Sequence, residues 1–233
     1  METVPVPKRE GVAGLKSFSR INGLIEHTIL KPDTTTDDIK RYCDETDHYG
    51  FHGVCVPPCY VRLAKRLIRK GKVISVAGFP LGLEKTEAKV FQIESLAKDG
   101  VDEIDVVFNI GFIRERRFEK LEDEIRELIK VKGDRPLKVI IETPLLSEEL
   151  IRRVSKLLMD HGVDFIKTGT GFHGSVKIKD VRIIAQVTKG KVGIKAAGGI
   201  RTYEQAKKLI QAGATRIGTS TGKAIVNAGQ SSS

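Results

Sequence analysis

Two stretches are the most informative feature of the chain: residues 163–171, which read VDFIKTGTG, and residues 192–199, which read VGIKAAGG. Each is a short apolar run that carries one lysine, Lys167 or Lys195, and leads into glycine. Burying an ammonium group on a central strand is unfavourable because desolvation disfavours the charged form, and a single lysine at a strand end is usually solvated. Two such strands in succession instead indicate a shared chemical role. A lysine desolvated beside a second cation loses its proton more readily and attacks carbonyl groups.

Strand-like runs alternate with amphipathic segments along the rest of the chain. The predicted strands are residues 26–30, 53–56, 72–77, 103–108, 137–142, 165–168, 193–196 and 216–218. The predicted helices are residues 36–48, 60–69, 85–98, 118–132, 147–161, 178–188 and 203–212. This alternation predicts an α/β protein, a TIM (β/α)8 barrel with an extra N-terminal helical segment, as a single domain over residues 1–233. A doubly wound open sheet is the alternative, but no G-x-G-x-x-G follows the first strand.

Composition and charge narrow the class of function. The chain has 233 residues, 40% of them hydrophobic, and a formal net charge of +10. Basic residues are mixed with acidic ones and no aromatic-rich stacking segment is present, so we predict no nucleic-acid partner. No stretch is apolar enough to span a bilayer, and residues 1–10 lack the apolar centre of a signal peptide. We therefore predict a cytoplasmic protein with no membrane partner, whose charge attracts small anionic substrates.

The cysteines do not indicate a disulfide framework. Cys43, Cys55 and Cys59 are odd in number, which favours reduced thiols. His52 lies near two of them, but a second pair of ligands at the spacing of structural zinc sites is missing. We predict packing thiols and no metal ion.

In a barrel of this kind, functional groups lie at the carboxyl ends of the strands. Strand alternation turns Asp105 inward if Ile104 and Val106 face the helices, and it turns Lys167 and Lys195 inward from neighbouring strands. An aspartate alone is as often structural as catalytic. Because it converges here with two lysines, we predict that Asp105 supplies a counter-charge and a proton relay, and that the lysines lower each other's pKa.

Glycine-rich turns follow the last three predicted strands, at residues 169–171, 198–199 and 218–220. Glycine lets main-chain N–H groups approach an anion, hydroxyl groups add donors, and barrels often hold a phosphate after their last strands. Arg201 follows the second turn and adds positive charge. The predicted phosphate-binding residues are Thr170, Gly171, Gly198, Gly199, Arg201, Gly218 and Ser220.

A family resemblance rests on the two lysine stretches and on six further segments. These segments are residues 25–32, 53–58, 73–80, 103–106, 138–143 and 216–220. By these motifs, which extend over nearly the whole chain, the sequence resembles the deoxyribose-phosphate aldolases, class I aldolases with a TIM-barrel fold. It departs from the family at Glu26, where the early motif often has Asp, and at residues 168–172, where some members have serine and lysine. Residues 227–233 lack the tyrosine with which some members end.

The resemblance implies reversible cleavage of 2-deoxy-D-ribose 5-phosphate into acetaldehyde and D-glyceraldehyde 3-phosphate. It implies that Lys167 forms the Schiff base and that Lys195 lowers the pKa of Lys167. It gives Asp105 a part in proton transfer and places Thr28 among the substrate-binding residues. No metal or other cofactor is implied, because the protonated imine is the electron sink. The implied partners are a phosphorylated sugar and further copies of the chain, in a homodimer or homotetramer.

Two other functions remain open at this point. A different phosphate-binding barrel enzyme, such as an isomerase with Asp105 as base, would turn over its substrate without an imine. A basic nucleic-acid-binding module would bind duplex with strong salt dependence. A nucleic-acid-binding function would not explain the two lysines on neighbouring strands.

Overall fold

A computed structural model describes residues 21–230 and places eight parallel strands, in chain order, in a closed barrel. The strands are β1 (Ile25–Thr28), β2 (Gly53–Cys55), β3 (Lys72–Ala77), β4 (Glu103–Val107), β5 (Leu137–Ile140), β6 (Phe165–Lys167), β7 (Gly193–Ala197) and β8 (Arg216–Thr219). The barrel closes where β8 pairs with β1. The predicted TIM barrel is confirmed. The extra N-terminal helical segment concerns the chain before β1, most of which, residues 1–20, lies outside the described residues; it and the single domain over 1–233 stay predictions.

Helices connect the strands on the outside of the barrel. They are α1 (Thr36–Tyr49), α2 (Val61–Leu67), α3 (Thr86–Lys98), α4 (Ile110–Arg114), α5 (Phe118–Val131), α6 (Glu148–Asp160), α7 (Ile178–Thr188), α8 (Tyr203–Gln211) and α9 (Gly222–Gln230). All seven predicted helices are present, whereas α4 and α9 were not predicted. The first of these two has only five residues and begins where the Asn109 side chain accepts a hydrogen bond from the Phe112 N–H. The second contains two glycines, which lower its intrinsic helix propensity.

The hydrophobic core lies between the barrel and its helices. Ile104 and Val106 of β4 are fully buried in the same apolar cluster as Leu121 and Ile125 of α5. Asp105, between those two strand residues, therefore faces the barrel interior, as predicted. Within the described residues, no helix is long and apolar enough to cross a membrane.

Candidate active site

Asp105 lies at the centre of a buried network of charges inside the barrel. One oxygen of its carboxylate, Oδ2, accepts hydrogen bonds from Lys167 Nζ at 2.9 Å and from Lys195 Nζ at 2.6 Å. The other oxygen, Oδ1, accepts one from Lys138 Nζ at 3.0 Å. All four side chains are buried. The structure thus brings the three predicted catalytic residues together and adds a third lysine.

Strand register explains why these side chains meet. Lys167 of β6 lies directly opposite Lys195 of β7, and Asp105 of β4 lies directly opposite Lys138 of β5. Neighbouring strands are only about 5 Å apart, so residues in register on the inner face are in reach of one another. Closure of the barrel then brings the two strand pairs together across its interior.

A second group of acidic side chains completes the network. Lys195 donates a hydrogen bond to Glu26 of β1, and Lys138 Nζ lies 2.6 Å from Glu103 Oε2 of β4. Glu103 in turn pairs with His52 Nε2 at 2.8 Å. Three lysine side chains therefore face three carboxylates, which satisfies the requirement that buried charges be paired.

The lysines hold Asp105 in its ionised form. Burial alone would raise the pKa of Asp105, but Lys138, Lys167 and Lys195 together lower it well below its usual range. Burial likewise acts to lower the pKa of Lys195, yet the nearby Asp105 and Glu26 carboxylates outweigh it and raise that pKa. The prediction that the lysines lower each other's pKa is therefore wrong for Lys195, because sequence alone did not place two carboxylates on it. Lys195 is a fixed cation beside Lys167.

The titration of Glu103 gives a stability prediction. Burial alone would raise its pKa, but His52 and Lys138 lower it from 4.5 to about 2. A lowered carboxyl pKa stabilises the fold fully above the unfolded-state value and loses that effect as the pH falls towards the folded-state value. We expect Glu103→Gln to lower the free energy of unfolding by about 3 kcal/mol at pH 7. Denaturant unfolding of both proteins should show this difference shrinking between pH 4.5 and pH 2; an equal difference at both ends would contradict the assignment.

One trio in the described part of the chain has the spacing of a metal site. Ligand atoms of Glu26, His52 and Glu103 all lie within 4.8 Å of one another. Lys138 Nζ, however, is 2.6 Å from Glu103 Oε2 and 3.6 Å from Glu26 Oε1. The lysine ammonium already supplies the positive charge that these carboxylates need, so the trio does not fit a cation.

His52 is not grouped with the cysteines. Cys43 and Cys55 are buried, as expected of packing thiols, and burial raises the thiol pKa of Cys55 to about 11. Cys59 is exposed, so the prediction that its thiol packs in the interior is wrong.

Above the network lies an open cavity of about 430 Å³. Lys167 lines it, whereas Asp105 and Lys195 are not among its lining residues. All eight predicted substrate- and phosphate-binding residues line it: Thr28, Thr170, Gly171, Gly198, Gly199, Arg201, Gly218 and Ser220. The amine of Lys167 is thus placed between the cavity and the buried carboxylate.

Close approach of neighbouring atoms disfavours a larger residue at two of these positions. Gly199 has φ +68°, and a Cβ there would lie 2.3 Å from Ser175 Oγ. Gly218 lies inside β8 rather than after it, and a Cβ there would lie 3.0 Å from Lys195 Cε. The first glycine lines the cavity, and the second leaves room for the buried lysine.

Sequence reasoning missed several residues of the site. Lys138 stands in an apolar run, residues 137–141, and so carried the same signal as the two lysines that were identified. Glu142, which follows β5 with φ +51°, accepts hydrogen bonds from Thr170 N at 3.1 Å and Thr170 Oγ1 at 2.5 Å. It fixes the turn after β6. The ring centroid of Phe79 lies 5.8 Å from Lys167 Nζ; the residue belongs to a segment of family resemblance, residues 73–80, but the sequence assigned it no role.

Comparisons with known proteins agree with this geometry. A family model described as DeoC/LacD family aldolase matches residues 24–228. The deoxyribose-phosphate aldolase of Thermococcus kodakarensis is 48% identical over 209 residues, which cover 87% of this chain and 93% of the relative. A solved structure described as QR15, an aldolase, has a TM-score of 0.88 at 37% identity, covering 91% of this chain and 96% of its own. A tetrameric deoxyribose phosphate aldolase from Aeropyrum pernix has a TM-score of 0.81 at 28% identity, covering 92% and 93%.

Proposed function

The chain belongs to the DeoC/LacD family of aldolases, and from that premise we propose that Lys167 is the amine that forms the Schiff base in its cavity. The activity is that of a class I aldolase, the reversible cleavage of 2-deoxy-D-ribose 5-phosphate into acetaldehyde and D-glyceraldehyde 3-phosphate. One observation carries the assignment of the nucleophile. Among the three networked lysines, Lys167 lines the cavity while its amine stays 2.9 Å from Asp105 Oδ2.

Covalent catalysis requires Lys167 to be present as a free amine. Lys195, a fixed cation bound to the same Asp105 oxygen, disfavours a second positive charge beside it. The neutral amine attacks the substrate aldehyde carbon, and loss of water gives an iminium ion. This iminium accepts the electron pair of the C2–C3 bond when that bond breaks, so an enamine of acetaldehyde stays on the lysine.

Proton transfer falls to the pair of Asp105 and Lys195. Because the lysines stabilise its ionised form, the Asp105 carboxylate is a weak base by itself. Its hydrogen bond to Lys195, at 2.6 Å, lets the pair act as a unit. Because neither side chain lines the cavity, a water molecule carries the proton of the C3 hydroxyl to the pair as the C2–C3 bond breaks, and a proton returns to the enamine carbon by the same route. Hydrolysis of the resulting imine releases acetaldehyde and restores Lys167.

The phosphate is expected at the mouth of the cavity, against the turns after β6, β7 and β8. Arg201 is exposed there, and its main chain is held by the Gln205 side chain at 2.9 Å. Charge-assisted hydrogen bonds to a phosphate are among the stronger ones.

We expect Arg201→Ala to raise KM for deoxyribose 5-phosphate about tenfold, the effect of losing one hydrogen bond to a charged group. Cleavage of unphosphorylated 2-deoxyribose should be unchanged, because that substrate has no group for Arg201 to bind. Steady-state kinetics with both sugars measure the difference, with Arg182→Ala on α7 as a matched surface control. Equal losses on both sugars would remove Arg201 from the phosphate site.

We propose a homodimer or homotetramer, since one solved relative is described as tetrameric and since Leu81, Leu83 and Phe91 are exposed apolar side chains. A cytoplasmic location stays a prediction from the sequence.

The activity is tested by a coupled assay for acetaldehyde and glyceraldehyde 3-phosphate released from deoxyribose 5-phosphate. Cleavage with inactivation by borohydride only when substrate is present supports the proposal. Turnover of a sugar phosphate without borohydride inactivation would instead favour an isomerase-like use of Asp105.

A further inference from the structure

Lys89 is a fully buried lysine outside the charge network described above. It belongs to α3, and its ammonium group donates three hydrogen bonds: to Glu124 Oε1 at 2.8 Å, to the Gly82 carbonyl at 2.9 Å and to the Val107 carbonyl at 2.8 Å. An ammonium group has three donors, so every one is used. The three acceptors come from different parts of the chain: α5, the loop after β3 and the end of β4.

We propose that Lys89 is a positioning residue for the aldolase site, which holds the β3–α3 loop (residues 78–85) against the end of β4 and thereby sets the place of Phe79 over Lys167. This inference rests on the proposed role of Lys167. Lys89 acts through Phe79 and is not among the residues that line the cavity.

The β3–α3 loop is fixed at both ends of its turn. Gly82 N donates to the Gly78 carbonyl at 2.7 Å, and Gly78 N donates to Gln92 Oε1 of α3 at 2.7 Å. A Cβ at Gly82 would lie 2.2 Å from the Phe108 carbonyl, so the loop packs directly on the residue after β4. Lys89 joins the same two pieces through the Gly82 and Val107 carbonyls. The loop is therefore held in a fixed position relative to β4, the strand that carries Asp105.

Phe79 links the position of this loop to the reacting amine of Lys167. Its ring centroid lies 5.8 Å from Lys167 Nζ, and its ring contacts Phe172 edge-on at 5.6 Å. Both aromatic side chains line the cavity. An aromatic face at this distance interacts with a cation, such as an ammonium or iminium ion, and forms an apolar wall beside it. Displacement of this wall by about 1 Å is enough to reduce turnover.

A simpler role for Lys89 is to neutralise the buried carboxylate of Glu124. Two of its three hydrogen bonds, however, go to main-chain carbonyls that need no counter-charge. A pair of variants distinguishes neutralisation of Glu124 from positioning of the loop. Glu124→Gln removes the acidic charge but keeps Lys89 on both carbonyls, whereas Lys89→Met with Glu124→Gln removes the carbonyl bonds without leaving an unpaired charge.

Steady-state kinetics on the full chain test the proposal. We expect Glu124→Gln to keep kcat within about threefold of the unmodified protein, and the Lys89→Met, Glu124→Gln protein to lose kcat by about tenfold or more. Phe79→Ala should cause a similar loss. Because Lys89 acts through Phe79, adding Phe79→Ala to the double variant should cause little further loss, which is the non-additivity expected of coupled residues.

The proposal would be overturned if the loss of kcat from Phe79→Ala and the loss from the double variant are additive. Full kcat in the double variant would also overturn it. If the double variant does not fold, Gly82→Ala takes its place, since it displaces the same loop while leaving Lys89 and Glu124 intact. Gly82→Ala should lower kcat, and adding Phe79→Ala to it should again cause little further loss. Borohydride trapping of the unmodified protein separates the two proposals: absence of an adduct refutes the role of Lys167, whereas an adduct together with additive losses refutes only the role of Lys89.

Discussion

Lys167→Met is expected to abolish cleavage of deoxyribose 5-phosphate. Methionine keeps the length and the apolar stem of the side chain but has no amine, so no imine forms and the C2–C3 electrons have no acceptor. Loss of a covalent nucleophile reduces kcat by about four orders of magnitude or more. The coupled acetaldehyde assay measures the loss, and borohydride with substrate should leave no adduct on the variant protein.

Two matched variants show whether the loss is specific to this amine. Lys156→Met removes an exposed lysine of α6 that pairs with Asp160 at 2.8 Å, and it should keep full activity. Lys138→Met removes a lysine of the same buried network that does not line the cavity, so borohydride should still trap substrate on Lys167. Substantial activity in Lys167→Met, with Lys156→Met unchanged, would move the nucleophile to another residue.

Asp105→Asn is expected to impair both turnover and stability. The amide keeps the shape of the side chain but leaves Lys138, Lys167 and Lys195 without the carboxylate that all three contact. Loss of a proton-transfer group reduces kcat by about 10²–10⁴-fold. Removing one partner from buried ion pairs lowers the free energy of unfolding by about 3–5 kcal/mol. Enzyme kinetics and denaturant unfolding at pH 7 measure the two effects on the same samples.

Asp102→Asn is the control for that variant. Asp102 precedes β4 and pairs with Lys65 at 2.9 Å, where both side chains are partly exposed. Its replacement should leave kcat unchanged, because the residue lies outside the cavity and the buried network. If Asp105→Asn loses stability but retains kcat, the carboxylate is structural and proton transfer belongs to another group.

The barrel and the central residues of the site followed from local signals in the sequence. The apolar runs around Asp105, Lys167 and Lys195 placed these side chains on the inner face, since alternation along a strand is fixed by its geometry. The glycine turns after the last strands identified the cavity lining, because parallel strands bring their carboxyl ends to one rim. Each of these inferences needed only the pattern of a single strand and the closure of the barrel.

The remaining features depend on contacts between distant segments. The raised pKa of Lys195 results from Glu26, which is 169 positions away in the chain, acting together with Asp105. The bridge from Lys89 to Val107 requires that α3 pack beside the end of β4. Helices α4 and α9 are stabilised in their places by tertiary packing that overrides weak local propensity. None of these is visible in the pattern of one segment.

The proposed mechanism requires one buried amine, that of Lys167, to bond covalently to the substrate. It is tested most directly by incubating the protein with deoxyribose 5-phosphate and borohydride, digesting it, and locating the added mass by tandem mass spectrometry. We expect a single reduced adduct on the peptide that contains Lys167, and no adduct when substrate is omitted. An adduct on Lys195 or Lys138 instead, or turnover with no adduct at all, would contradict it.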